Sequence, residues 1–434
     1  MEILITLSFI LLFISWISDS KRKYNPLVIF NGLWLFIYML YFINLFDFFI
    51  KLDLSTYIIL AVMQIGFTLG GLFGEKIKLK IKNSSESPSL NINTKWLLRE
   101  KIFLIISIVA IVLTFMEEIS IIIKLLQGVS FHSITAEAEG KTTVTFSGAL
   151  QVALHMFFLY PMAYVITPVC AVEIIYRKNK PMIFFIINVL MVTLSVVHHG
   201  GRNALFQMLL CYLLVFLISE KGKEIKLRTK ILAVVLVIFS FALIINISES
   251  RGISDIGGSF YGYFTCCIPL SNQYLASDVA QRGQMWGLYS FKGFLGPAFT
   301  IMNYLGLSTP KLYLNAQDFA GLIEESYMYI GNNSPHTFNA FIPAGASLYV
   351  DGGYPFEFLI MFIYGWISGA LFRRIKNLDI RNSRNFCLFI FFMIGVVFSF
   401  SRFWFSSYHY ALAVIYIILL YHRKRESKLK ITIN

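Results

Sequence analysis

Charge is scarce in this chain. Only 14% of its 434 residues are Asp, Glu, Lys or Arg, against about 25% in an average soluble domain. Hydrophobic residues make up 57%. That balance excludes a water-soluble globule and implies a polytopic membrane protein. Cysteine is scarce too. Cys170, Cys211, Cys266, Cys267 and Cys387 show no metal-binding spacing, and adjacent thiols such as Cys266–Cys267 rarely form an unstrained bridge. They read as packing residues. HExxH, zinc spacings and acidic cages are all missing, so neither a catalytic metal nor a cofactor is expected. No glycine-rich phosphate loop occurs, and the longest loop on the basic side has only about 27 residues. A nucleotide-binding domain is thereby excluded. There is no internal repeat.

What is present is positive charge in a particular pattern. The net charge is +13. The basic residues fall in short runs between apolar segments, which excludes nucleic acid as the partner and is the signature of membrane topology. A span needs roughly 17–25 apolar residues. Such segments occur near 1–18, 27–46, 54–74, 102–123, 147–175, 181–198, 203–219, 231–247, 355–372, 386–401 and 403–421. The expected fold is therefore all-α, with about eleven transmembrane helices. Met1–Ile17 reads as a first span and not as a cleaved leader, because no basic run precedes it and Lys21–Lys23 follows it.

All but nine of the 37 lysines and arginines lie on one side of these spans. The exceptions are Lys51, Lys124, Lys141, Arg202, Arg251, Arg282, Lys292, Lys311 and Arg402. By the positive-inside rule the crowded side is cytoplasmic. The N-terminus is then outside and the C-terminus inside. The chain divides into eight spans (1–247), one long outer loop (248–354), three more spans (355–421) and a basic tail (422–434). Within the loop, 286–306 is apolar but broken by Gly293, Gly296 and Pro297. It reads as a helix lying in the interface, with a broken span as the competing reading.

Two hairpins are too short to clear the bilayer. The segments 181–219 and 385–421 each give their helices about 16–18 residues, near 24–27 Å at ~1.5 Å per residue, against a hydrocarbon core of ~30 Å. Their turns carry Arg202 and Arg402. Charge at that depth is costly and marks function by default, while snorkelling to lipid headgroups is the competing reading. Gly200–Gly201 beside Arg202 would let a ligand approach the backbone. Arg251 follows the eighth span closely. Guanidinium groups bind phosphate bidentately, so Arg202, Arg251 and Arg402 at one depth can hold a diphosphate. Arg282 is a fourth candidate, or a solvated loop charge.

His336, in the polar turn SPHTFN, can serve as a general base or orient a sugar hydroxyl. An ordinary loop histidine is the alternative. Asp351 in VDGG is the leading carboxylate. His199, Glu249, Glu324 and Asn339 complete the set as positioning groups. His155 and His409 enter spans and read as core histidines.

This arrangement resembles the bacterial O-antigen and oligosaccharide repeat-unit polymerases (Wzy-like). The likeness rests on the span count, the single late outer loop, and the stretches GGRNA (Gly200–Ala204), ESRG (Glu249–Gly252) and PHTFNAF…YVDGG (Pro335–Gly353). An arginine followed by a glycine eleven positions on recurs at Arg251–Gly262 and Arg282–Gly293. The resemblance implies a GT-C-like membrane glycosyltransferase. Its substrates would be undecaprenyl-diphosphate-linked oligosaccharides, polymerised at the outer leaflet of the cytoplasmic membrane into O antigen, capsule or exopolysaccharide. Membrane lipids and the chain-length regulator and flippase of the same pathway would be its partners. A ligase or a flippase is the rival reading.

Overall fold

The computed structural model describes residues 1–18, 24–45, 50–76, 94–127, 149–176, 180–199, 203–218, 256–331, 337–376 and 383–425. In chain order the apolar helices are α1 (Glu2–Ser18), α2 (Pro26–Ile43), α3 (Leu54–Lys76) and α4 (Glu100–Leu126). A composite helix follows. It joins α5 (Ala149–Leu154), a π-helical turn at His155–Leu159, α6 (Tyr160–Ala171) and a second π-helical turn at Val172–Tyr176. Next come α7 (Pro181–His199) and α8 (Asn203–Ile218). Residues 256–325 form the shorter helices α9 (Ile256–Thr265), α10 (Cys267–Leu275), α11 (Asp278–Gln281), α12 (Lys292–Tyr304) and α13 (Lys311–Glu325). Helices α14 (Ala344–Lys376), α15 (Ser383–Val397) and α16 (Tyr408–Leu420) complete the bundle. Strand β1 (Thr94–Leu98) pairs antiparallel with β4 (Tyr421–Arg425), and β2 (Met328–Tyr329) with β3 (Thr337–Phe338).

The chain is an all-α membrane protein. Six helical segments among the described residues are long and apolar enough to cross a bilayer, and α1, α7, α8 and α16 are apolar but shorter. These ten coincide in place with ten of the expected spans; the one expected at 231–247 lies outside the described residues.

Helix α3 packs along α14 through glycine. Gly66, Gly70 and Gly74 stand one turn apart on α3, and Gly365 and Gly369 do so on α14. A Cβ on Gly70 would run into the Phe362 carbonyl oxygen, one on Gly74 into that of Trp366, and one on Gly369 into that of Gly71. Lipid is as apolar as leucine, so such helices associate by close backbone approach, which only small residues permit. Polar side chains add to this. Asn31 Nδ2 of α2 donates to Ser15 Oγ of α1 (3.1 Å) and to Thr68 Oγ1 of α3 (2.9 Å).

The start of α14 differs from expectation. Helix begins at Ala344, not near 355, and kinks at Gly352–Gly353. Gly353 has φ +69°, open to glycine at no steric cost, and Pro355 then starts the longer half. The end of the expected loop is thus itself helical. Helix α12 has 13 residues, about 20 Å at ~1.5 Å each, too short to span. All five cysteines are buried and unbridged.

Side-chain and strand contacts sort the chain to two ends. At one, β1 pairs with β4, Ser383 Oγ donates to Trp96 O (3.2 Å), Arg384 lies 3.4 Å over the Trp96 ring, and Lys180 pairs with Glu100. At the other, Asn272 Oδ1 accepts from Asp53 N (2.7 Å) and Thr56 Oγ1 (2.8 Å), and Tyr261 Oη donates to Leu40 O (2.5 Å). The turn between α15 and α16 also belongs to this second end.

Candidate functional site: a cationic cavity at the Arg402 turn

Helix α15 ends at Val397 and the chain reverses through two 3₁₀ turns, Phe398–Phe400 and Trp404–Ser406. Ser401 N and Arg402 N both donate to Phe398 O, at 2.9 and 3.2 Å. The flanking aromatics fix this reversal. Phe403, Trp404 and Phe405 are buried, and Trp404 stacks on Tyr410 with centroids 3.6 Å apart. The outer segment closes on it from two sides. Ile342 N donates to Ser401 O (3.0 Å). Gly293, at the start of α12, lies so close that a Cβ there would strike the carbonyl oxygens of Ser407 and Phe405.

Arg402 lines a cavity of about 200 Å³. Tyr164 and Thr167 enter it from α6, Ser195 from α7, Asn203 and Gln207 from α8, and His409 and Tyr410 from α16. The wall is held from behind. Gln207 Nε2 donates to Tyr410 Oη (3.0 Å), and Thr167 Oγ1 donates to Asn188 Oδ1 (2.9 Å). His409 stacks on Tyr164 at 5.6 Å, and its Nδ1 lies 3.0 Å from Ser407 Oγ. Among the described residues the cavity is thus walled by hydroxyls, amides, aromatic rings and the apolar side chains of Ala163, Val192 and Ala204 around the Arg402 guanidinium, the mix of apolar lining and a few placed polar groups expected of a ligand pocket.

Arg402 is only half-buried, and among the described residues no acceptor is hydrogen-bonded to its guanidinium. Burial works against its charge, but Tyr410, Glu324, Tyr164 and Tyr289 around it outweigh that and hold it above the ordinary arginine value. Lys292 is half-buried nearby. Burial pushes its ammonium below the ordinary lysine value; Glu324 opposes the shift and Arg402 adds to it. These are two cations that feel one another, and among the described residues the carboxylate acting on both, Glu324, is exposed; such a pair favours an incoming anion.

The structure brings Arg402, Glu324 and Asn339 into one neighbourhood, with Asn339 Nδ2 donating to Glu324 O at 2.5 Å. Asn203, directly after Arg202, is in the cavity wall. Arg202 itself, Arg251, Glu249 and His336 lie outside the described residues, as does the side chain of His199 at the end of α7. Arg282 is exposed and ion-paired with Asp318 (2.8 Å). Asp351 is fully buried. Its oxygens accept from Tyr289 N (3.1 Å) and Ser290 N (2.6 Å), so it anchors the turn that leads into α12 and is not in the cavity wall. The glycines eleven positions after Arg251 and Arg282 are packing sites: a Cβ on Gly262 would strike Phe338, and Gly293 meets the Arg402 turn.

Lys292, Tyr164 and Gln207 are not among the residues that the sequence singles out, and His409, which reads as a core histidine, also lines the cavity. The available signal was polar residues inside apolar spans, but it does not say which of them face one another. No family model, curated protein or solved structure matches this chain.

Proposed function

We propose that this chain is a metal-independent membrane glycosyltransferase that polymerises undecaprenyl-diphosphate-linked oligosaccharide repeat units into surface polysaccharide. The reaction is assigned to the outer leaflet of a bacterial cytoplasmic membrane, with the C-terminus in the cytoplasm. The single observation that carries this reading is Arg402: a guanidinium facing a polar cavity at a membrane helix turn, with no acceptor of its own among the described residues. Such a group suits a phosphate oxygen.

A hydroxyl of one lipid-linked unit attacks the anomeric carbon of the growing chain, and undecaprenyl diphosphate leaves with the bond's electron pair. That leaving group needs charge stabilisation more than a proton. Arg402 and Lys292 supply it, together with Arg202 and Arg251. Tyr164, His409 and Tyr410 offer ring faces to a sugar, and Asn203 and Gln207 its hydrogen-bond partners. His336 remains the outer candidate for aligning the acceptor.

The test is to incubate the purified full-length protein with a lipid-linked repeat unit. A ladder of longer chains is expected. A single transfer to a different lipid acceptor would identify a ligase, and no covalent change a flippase. One observation favours the flippase: Glu357, beyond the kink of α14, is fully buried, and among the described residues neither of its oxygens has a hydrogen-bond partner; broken helices with buried carboxylates occur in transporters.

A further inference from the structure

The π-helical turn at His155–Leu159 is the first of two in the composite apolar helix, and π-bulges concentrate at functional sites. It carries His155, whose Nε2 lies 2.6 Å from Glu117 Oε1 of α4. The two side chains are only 15% and 3% exposed. An ionisable pair among apolar helices costs free energy that well-packed hydrophobic residues would not, so packing gives no reason for it.

The pair adjoins the Arg402 cavity through Glu117. Thr114, Glu117 and Tyr160 line a small cavity of about 10 Å³, room for about one water. That cavity shares Ala163 and Ser195 with the larger one. Tyr160 also meets the His155 ring edge-on at 5.1 Å and the His409 ring at 4.9 Å. Among the described residues, the other titratable groups facing this region are Glu118 on α4, and Tyr408 and Tyr416 on α16, the Tyr416 hydroxyl donating to Phe157 O of the same π-helical turn.

We infer that Glu117 and His155 form the proton acceptor for the reaction in the Arg402 cavity, reached through the small cavity at Ser195. This rests on the glycosyl-transfer reading. The acceptor oxygen bonds to the anomeric carbon, and the carbon–diphosphate bond breaks with its electrons going to the leaving group. The hydroxyl proton passes inward to the Glu117–His155 pair, which later releases it to solvent. The pair does not touch the sugar; it is a positioning and relay element, and a proton acceptor set back from the site is effective when one water bridges the gap.

The experiment is a pH–rate profile of polymerisation by the full-length protein, with Glu117→Gln, His155→Gln and His336→Gln beside it, and binding of undecaprenyl diphosphate measured for each. The wild type should slow toward low pH, as a reaction that needs a proton acceptor does. Glu117→Gln and His155→Gln should still bind undecaprenyl diphosphate, lose roughly 10²–10⁴-fold in rate, and lose the acid limb. Where the glutamine variant of Glu117 fails to bind, Glu117→Asp replaces it; a displaced limb then supports the inference and an undisplaced limb overturns it. A limb that survives at positions 117 and 155 but vanishes in His336→Gln overturns it alone. No polymer from the wild type overturns the glycosyl-transfer reading and this inference with it.

Discussion

The α3–α14 seam and the Arg402 turn are both places where helices come very close, and both depend on glycine. At the seam, Gly66, Gly70, Gly74, Gly365 and Gly369 each meet backbone of the facing helix, and no space is left. At the turn, Gly293 docks α12 with the same tightness, yet the helices behind it stand apart and leave about 200 Å³ edged by polar groups. Close packing at the seam buries the backbone of both helices. Close packing at the turn holds a cation at the edge of an open space. Glycine by itself therefore does not mark a site; what distinguishes the two regions is whether the contact closes a volume or frames one.

The comparison breaks first at Arg402. Arg402→Ala should lower the polymerisation rate by roughly 10²–10³ while leaving the thermal transition of the purified protein in place, because among the described residues the guanidinium makes no hydrogen bond that packing needs. Arg402→Lys should recover part of the rate, since a point charge replaces a bidentate fork. Full-length polymer in cells expressing Arg402→Ala would remove the site altogether.

The seam should respond the other way round. Gly369→Leu forces a side chain against the Gly71 carbonyl, and overpacking of this kind costs about 1–3 kcal/mol or more. The expected readout is a lower transition temperature by intrinsic fluorescence, with the surviving folded fraction polymerising at the normal rate. An unchanged transition would mean that the seam is not closed as described.

Gly293→Ala sharpens the contrast, because it disturbs the docking of α12 without touching a charge. Affinity for undecaprenyl diphosphate should fall about tenfold with a smaller loss of stability than Gly369→Leu. Equal losses in both measurements would make the turn merely another packing contact.

The smallest effect concerns Lys292 and pH. Its ammonium is held below the ordinary lysine value chiefly by burial. The folded protein therefore releases this proton before the unfolded chain does, so as pH rises through the lowered value the unfolded state binds more protons and stability rises. Anion binding runs oppositely: as pH rises through that same value the cation is lost and undecaprenyl diphosphate binds less well. Lys292→Arg keeps its charge and should flatten that alkaline decline, which titration of binding against pH would detect.

Much of the fold was legible. Ten apolar helices lie where hydropathy places them, since the bilayer requires each spanning segment to satisfy its own backbone and so writes length and composition into the chain. The kink at Gly352–Gly353 was legible as a turn, but not the short helix before it, because AGASLYVDGG carries helix formers and a breaker in nearly equal measure. Arg402 was singled out by depth and charge. Tyr164, Gln207 and Lys292 were not, because Tyr164 and Gln207 are single polar residues in apolar helices and Lys292 is one loop charge, and each can as readily be a packing or solvated residue. His155 reads as structural from the sequence, which gives no sign that Glu117, 38 positions away, lies 2.6 Å from it.

By itself the sequence determined that this is a helical membrane protein and where most of its helices run; these follow from local composition, which the lipid reads segment by segment. Only the tertiary structure decided that Arg402 faces a cavity, that Lys292 stands near it, and that Glu117 meets His155. Those are pairings between distant segments, set by which helix faces can approach closely, and no local property of either partner encodes them.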